Sequence, residues 1–141
     1  VFPASGGAVL SAFEPADAFP IPITKGSSDF VWQRLYSADK KKSERFYREL
    51  FNWNKPPKES ILRTESGEAI GDIGAAPTWI QVDTWVYFLS VRNLTQTISL
   101  LENSAGTVLE TTEIQGQRAV VATDSQGGVI GFTEFHQETT C

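Results

Sequence analysis

An α+β fold of two βαβββ modules, forming an incomplete barrel with both helices outside, is the architecture this sequence predicts. Three observations carry it. Phe30-Val31-Trp32-Gln33-Arg34-Leu35-Tyr36-Ser37 is dense in β-branched and aromatic residues and runs through Asp39 into a patterned helix. The same strand–helix plan returns about fifty residues on, from Trp85 to Leu101, as expected of two copies of one unit. Short apolar runs separated by Gly, Ser and Asp follow each helix, which is the punctuation of hairpins.

Taken in order, Phe2 to Phe13 reads as a strand following a Gly6-Gly7 turn. Residues 14–29 hold Pro15, Pro20, Pro22, Gly26, Ser27 and Ser28, a linker composition. Residues 30–37 form the first strand, and Asp39 is a good N-cap. The helix from about 40 to 52 places Phe46, Leu50 and Trp53 on one stripe, widened by Tyr47 and Phe51. Pro56-Pro57 blocks further helix. Ile61–Thr64 and Ala69–Ile73 make a hairpin, and Thr78–Val82 is read as a further short strand. The plan restarts with strand Trp85–Val91, and Asn93 caps a helix bearing Leu94, Ile98 and Leu101. Gly106 stands where a left-handed cap belongs, and Val108-Leu109 is a short strand. Arg118–Thr123 and Val129–Phe135 form a hairpin around Asp124-Ser125-Gln126-Gly127-Gly128. The organisation is thus an arm and linker (1–29), one domain (30–137, modules 30–81 and 84–137) and a tail (138–141).

Composition bounds what such a domain does. A chain of 141 residues with 40% hydrophobic and 21% charged residues is ordinary globular material, which disfavours disorder. Its apolar runs, such as Trp85–Leu89, are strand-length, whereas a membrane span needs about 20 residues. A net charge of −5 disfavours nucleic acid, which demands a basic face. Lys40-Lys41-Lys42 is read as a solvated helix start. No signal peptide is expected, since the first basic residue is Lys25 and prolines break the preceding stretch. The one cysteine, Cys141, rules out an intrachain disulfide and suits a reducing cytoplasm. Asn93-Leu94-Thr95 matches a glycosylation acceptor, but a helix cap is its expected role. The absence of methionine, even at position 1, suggests that Val1 is not the translation start.

The chain resembles the vicinal oxygen chelate superfamily of glyoxalases, bleomycin-resistance proteins, fosfomycin-resistance enzymes and extradiol dioxygenases. The resemblance rests on Trp32-x-x-Leu35-x-x-x-Asp39, Phe46-Tyr47-x-x-Leu50-Phe51-x-Trp53, Tyr87-Phe88-x-x-Val91-x-Asn93, Gly106-x-Val108 and Asp124-x-x-Gly127. It implies a cup that holds a small molecule, often above a metal. Members often carry two domains in tandem, and residues 1–29 look like the tail and linker of an upstream domain or a strand that pairs with a neighbouring subunit.

Strand alternation on this plan sends Trp32, Arg34 and Tyr36, then Val86, Phe88 and Ser90, then Gly131 and Thr133 into the cup, with Leu35, Leu89 and Ile130 toward the helices. The family's metalloenzymes place His, Gln or Glu at the positions matching Trp32 and Val86, and Glu at the one matching Gly131. None of these residues can ligate a divalent ion, so no metal or other cofactor is expected. His136 lies on the opposite parity, and a register slip would bring in Gln33 instead. Asp72, Asp83 and Glu134 are read as exposed turn or strand-edge acids rather than catalytic ones.

What remains is an aromatic cup with one cation. Trp32, Tyr36 and Phe88 can stack on a flat ligand, Arg34 can fork onto a carboxylate or phosphate, and Ser90 and Thr133 add hydroxyls. The reading is metal-independent binding or sequestration of a small hydrophobic or aromatic molecule, anionic if Arg34 engages it. Three alternatives stay open: a metal-dependent lyase, isomerase or dioxygenase; a non-catalytic interaction module; and a filled cup in which Arg34 pairs with Asp72. A homodimer is expected, with residues 1–13 adding a strand to a sheet edge, the partner's favoured.

Overall fold

The computed structural model describes residues 2–3, 9–10, 29–53, 61–64 and 66–134. They fall into two compact units, one holding residues 2–3, 9–10 and the described part of 33–85, the other 29–32 and 86–134.

In the first unit, β1 (Phe2–Pro3) and β2 (Val9–Leu10) pair antiparallel with each other, Phe2 opposite Leu10. The single strand read over 2–13 is thus two short ones where it is described. β3 (Phe30–Ser37) leads through Asp39 into α1 (Lys40–Phe51), and the Asp39 carboxylate accepts the Lys42 N–H at 3.1 Å. β4 (Ile61–Arg63) and β5 (Ala69–Ala75) follow, giving the order β4–β5–β3 with β5 antiparallel to β4 and parallel to β3. Leu35, Tyr47, Leu62 and Ile73 form the core, with Phe46, Phe51, Trp53, Ile70 and Trp85 packed around them. Each buried aliphatic side chain here contributes roughly 1.5–3 kcal/mol.

Three details differ from the sequence reading. The buried face of α1 is centred on Ser43 and Tyr47, and Leu50 is left 48% exposed. Tyr47 takes the centre because its ring meets Phe46, Phe51, Trp53 and Trp85 and its hydroxyl accepts the Trp85 indole N–H at 2.9 Å. Thr78–Val82 is no strand: Pro77 starts a turn in which the Ile80 N–H donates to the Pro77 carbonyl. The strand that closes this unit beside β3 is β5, so the described residues give it three strands around α1.

The second unit is a full β–α–β–β–β run. β6 (Thr84–Val91), whose first two residues lie in the first unit, leads into α2 (Leu94–Asn103), where Asn93 accepts the Gln96 N–H at 2.9 Å. β7 (Thr107–Ile114), β8 (Gln117–Thr123) and β9 (Val129–Glu134) follow in the order β6–β9–β8–β7, with β6 parallel to β9 and the others antiparallel. The strand expected at Val108-Leu109 extends to Ile114, because Gln115 and Gly116 both adopt positive φ (48° and 80°) and make the tight hairpin turn. The left-handed residue after α2 is Ala105 (φ 63°), not Gly106. Gly106 is required for a different reason: a Cβ there would lie 2.6 Å from Leu101 Cγ and 2.8 Å from the Thr123 carbonyl. Val86, Phe88, Leu94 and Ala119–Ala122 are buried.

The whole is an α+β fold of mixed parallel and antiparallel strands, and neither ladder closes on itself. Among the described residues no helix is long and apolar enough to cross a membrane.

Candidate functional site

Alternation along β3 is fixed by its packing. Leu35 sits in the α1-side core, so Gln33 shares that side and Arg34 and Tyr36 point the other way. The register that would bring Gln33 inward is therefore not the one adopted. Arg34 stands directly opposite Asp72 on β5 and forks onto it, Nε to Oδ1 at 2.8 Å and Nη2 to Oδ2 at 2.9 Å. Both side chains are largely covered, at 12% and 15% exposure. Burial pulls the Arg34 pKa down, but the hydrogen bond and charge of Asp72, joined by Tyr36, outweigh it and hold the guanidinium above its ordinary value. The geometry is thus the pairing that the filled-cup alternative anticipates. The Arg34 guanidinium carbon lies 6.0 Å from the centre of the Tyr36 ring, and Tyr36 meets Trp79 edge-on at 5.4 Å.

In the second unit, the corresponding register step brings Phe88 opposite Gly131. The Phe88 ring lies over the glycine so closely that a Cβ at 131 would fall 2.3 Å from its Cδ1. A glutamate at Gly131 would collide with that ring, and Val86 and Trp32, both buried, offer no donor atom suited to a divalent ion. Ser90 is opposite Thr133, and both are buried. Neither hydroxyl is idle: Ser90 Oγ accepts the Asp29 N–H at 3.3 Å, and Thr133 Oγ1 donates to the Arg118 carbonyl at 3.2 Å. Among the described residues no three His, Cys, Asp or Glu side chains gather as a metal site would require. His136 lies outside the described residues.

The expected site residues therefore divide. Arg34 and Tyr36 come together in the first unit with Asp72, Gly74 and Trp79; Trp32, Phe88, Ser90 and Thr133 belong to the second. The Trp79 contact with Tyr36 is not legible in the sequence, where its segment reads as a strand. Asp83, read as an exposed acid, is buried. It accepts the Ser37 hydroxyl at 2.7 Å and the Ala38 N–H at 3.0 Å. The single Ser37 proton goes to Asp83, so Ser43, 2.7 Å away, must donate to Ser37. This network locks the β3–α1 junction and is architectural. Glu134 sits half-buried at the end of β9.

No protein-family model matches the chain, and no curated protein matches it. Solved structures do. A hypothetical protein, BH1468 from Bacillus halodurans C-125, superimposes with a TM-score of 0.52 at 12% identity, over 82% of this chain and 100% of that one. Methylmalonyl-CoA epimerase from Mycobacterium tuberculosis gives a TM-score of 0.50 at 12% identity, over 83% of this chain and 95% of that one. These likenesses are of fold, and the fold is that of the vicinal oxygen chelate proteins.

Proposed function

We propose that this chain is a metal-independent binding domain for a small hydrophobic or aromatic molecule, acting without covalent chemistry. The observation that carries the reading is Phe88 over Gly131: a ring occupies the space a ligating glutamate would need. The aromatic side chains within each unit, Tyr36 and Trp79 in the first and Trp32 and Phe88 in the second, support a flat or apolar ligand. The test is a thermal-shift and tryptophan-fluorescence screen of the native protein against aromatic compounds and divalent metals. A true ligand at a hundred times its Kd should stabilise the protein by about 2.7 kcal/mol, whereas a stoichiometric metal lost on chelation together with an activity would move the reading to a lyase, isomerase or dioxygenase.

A second reading has an observation of its own. Trp32, Tyr36 and Phe88 are only 6%, 3% and 0% exposed, as they would be if they simply filled a non-catalytic interaction module. A screen with no ligand-induced shift favours that module. On either reading we propose a homodimer in which residues 1–13 add a strand to the partner's sheet edge, in a reducing cytoplasm suited to a chain with one cysteine. Deleting residues 1–26 should weaken the dimer in sedimentation, and an equally stable dimer would remove the arm from the proposal.

A further inference from the structure

We infer that the outer side of α1 is a binding site for a small aromatic anion, a ring bearing one or two carboxylates, seated in a cavity walled by Lys41, Glu44, Arg45, Arg48, Glu49 and Trp53. The site lies wholly within the first unit and does not depend on the reading above.

The cavity encloses about 630 Å³, within the roughly 300–1,000 Å³ of ordinary small-molecule sites. Lys41, Arg45, Arg48 and Glu49 are exposed along it, and Glu44 and Trp53 are half-buried. Ser43 and Tyr47 hold a different side of α1 in the core, which keeps these side chains outward. Lys41, Arg45 and Arg48 follow one another at steps of four and three residues, so they form one strip, about 5 Å per turn. Among the described residues none of the three cations holds an ion pair or a side-chain hydrogen bond. A carboxylate that reaches Arg45 and Arg48 together meets two guanidinium groups, each able to donate a pair of parallel hydrogen bonds. Glu44 and Glu49 flank the strip, so three cations face two acids in the cavity. That balance suits a ligand with one or two negative charges rather than a polyanion. The wider field agrees in sign, since α1 carries five Lys or Arg and only two Glu in a chain of net charge −5. The ring has a wall of its own. Asn52 ends α1 in the left-handed region (φ 53°), and Trp53 stacks back on Phe51 at 4.9 Å and on Tyr47 at 5.9 Å. These contacts hold the indole at the end of the strip, with part of its surface left to the cavity. A flat acid thus meets cations through its carboxylate and an indole through its ring.

The experiment titrates the native protein with phthalate, benzoate and benzamide, read by calorimetry and tryptophan fluorescence. Each acid is expected to bind about ten-fold tighter than the neutral amide. Arg45→Gln with Arg48→Gln changes two exposed positions, so it should leave the unliganded melting temperature unmoved and weaken both acids about ten-fold. Glu49→Gln should tighten them, and Arg92→Gln, an exposed arginine of the second unit, should change nothing. Acids that bind the double variant as tightly as the native protein, or benzamide that binds as tightly as benzoate, would overturn the inference and leave the small-molecule reading standing. Inorganic phosphate that displaces phthalate at equal concentration would overturn it too, because the ring would then contribute nothing. If neither acid gives heat or a fluorescence change, the inference falls outright.

Discussion

At one register step of the parallel strand pair in each unit, the two halves of the chain carry opposite chemistry. Arg34 faces Asp72 across β3 and β5; Phe88 faces Gly131 across β6 and β9. The frames around these pairs match. Leu35 follows Arg34 as Leu89 follows Phe88, and Asp39 caps α1 as Asn93 caps α2, each accepting the N–H three residues on. One backbone plan therefore accepts either an ion pair or a ring seated on a glycine. What it demands is that the two opposed side chains share a fixed volume and leave no polar atom unsatisfied.

The comparison is most severely tested at Phe88. Phe88→Ala should cost about 3–5 kcal/mol, read from the denaturation midpoint, because the ring is fully buried and nothing at Gly131 can replace it. In the first unit, Asp72→Ala should cost about 2–4 kcal/mol by leaving the Arg34 charge largely covered and without its carboxylate. Arg34→Met with Asp72→Val should stay within about 1 kcal/mol of the native protein, since an apolar pair of similar total volume avoids desolvating two charges. A double variant as damaged as the single one would break the parallel between the units. Gly131→Ala comes next, at about 1–3 kcal/mol, and the penalty should vanish in a Phe88→Ala background, a coupling measurable by a double-mutant cycle.

Helix ends give smaller differences. α1 finishes on Asn52 in the left-handed region (φ 53°), a residue that tolerates it. α2 uses Ala105 there, with Ala105 N–H donating to the Glu102 carbonyl and Gly106 N–H to the Leu101 carbonyl. That is the Schellman arrangement with alanine where glycine is usual, so Ala105→Gly should stabilise by about 0.5–1 kcal/mol in thermal melts. The smallest contrast lies in the hairpin turns. Asp124 accepts the N–H groups of Gln126 and Gly128, which lowers its pKa below the usual carboxylate value. Because the folded pKa is the lower one, this stabilisation is complete above the unfolded value of 3.8 and fades as pH falls through the folded value. The first unit's turn uses the Thr64 hydroxyl to accept the Glu68 N–H. The stability difference between native protein and Asp124→Asn should be constant above that acid window and shrink across it as pH falls, and a matching Thr64→Ala series should show no such pH dependence.

Much of this frame was legible beforehand, and the reasons are local. Asp39 and Asn93 announce their helices by capping chemistry, and the aromatic density of Phe30–Tyr36 and Trp85–Phe88 announces strands. β7 is legible only at Val108-Leu109 because Glu110-Thr111-Thr112-Glu113 carries no apolar residue, and only the Gln115-Gly116 turn reveals its length. The segment Thr78–Val82 has strand composition, yet Pro77 and the Ile80 N–H commit it to a turn. At the site, alternation assigned the correct side of β3, but no local pattern decides whether Arg34 serves a ligand or Asp72. That choice depends on which residue of β5 stands opposite, a register set by the whole unit.

The bond from Ser37 to Asp83 spans 46 residues and closes on the turn that starts α1. During synthesis the Ala38 N–H and Ser37 hydroxyl cannot be satisfied in this way until residue 83 has left the ribosome. The start of α1 is thereby tied to the arrival of nearly the last residue of its own unit, so nascent chains halted before Asp83 should leave this junction open to proteases, and chains halted well after it should close it.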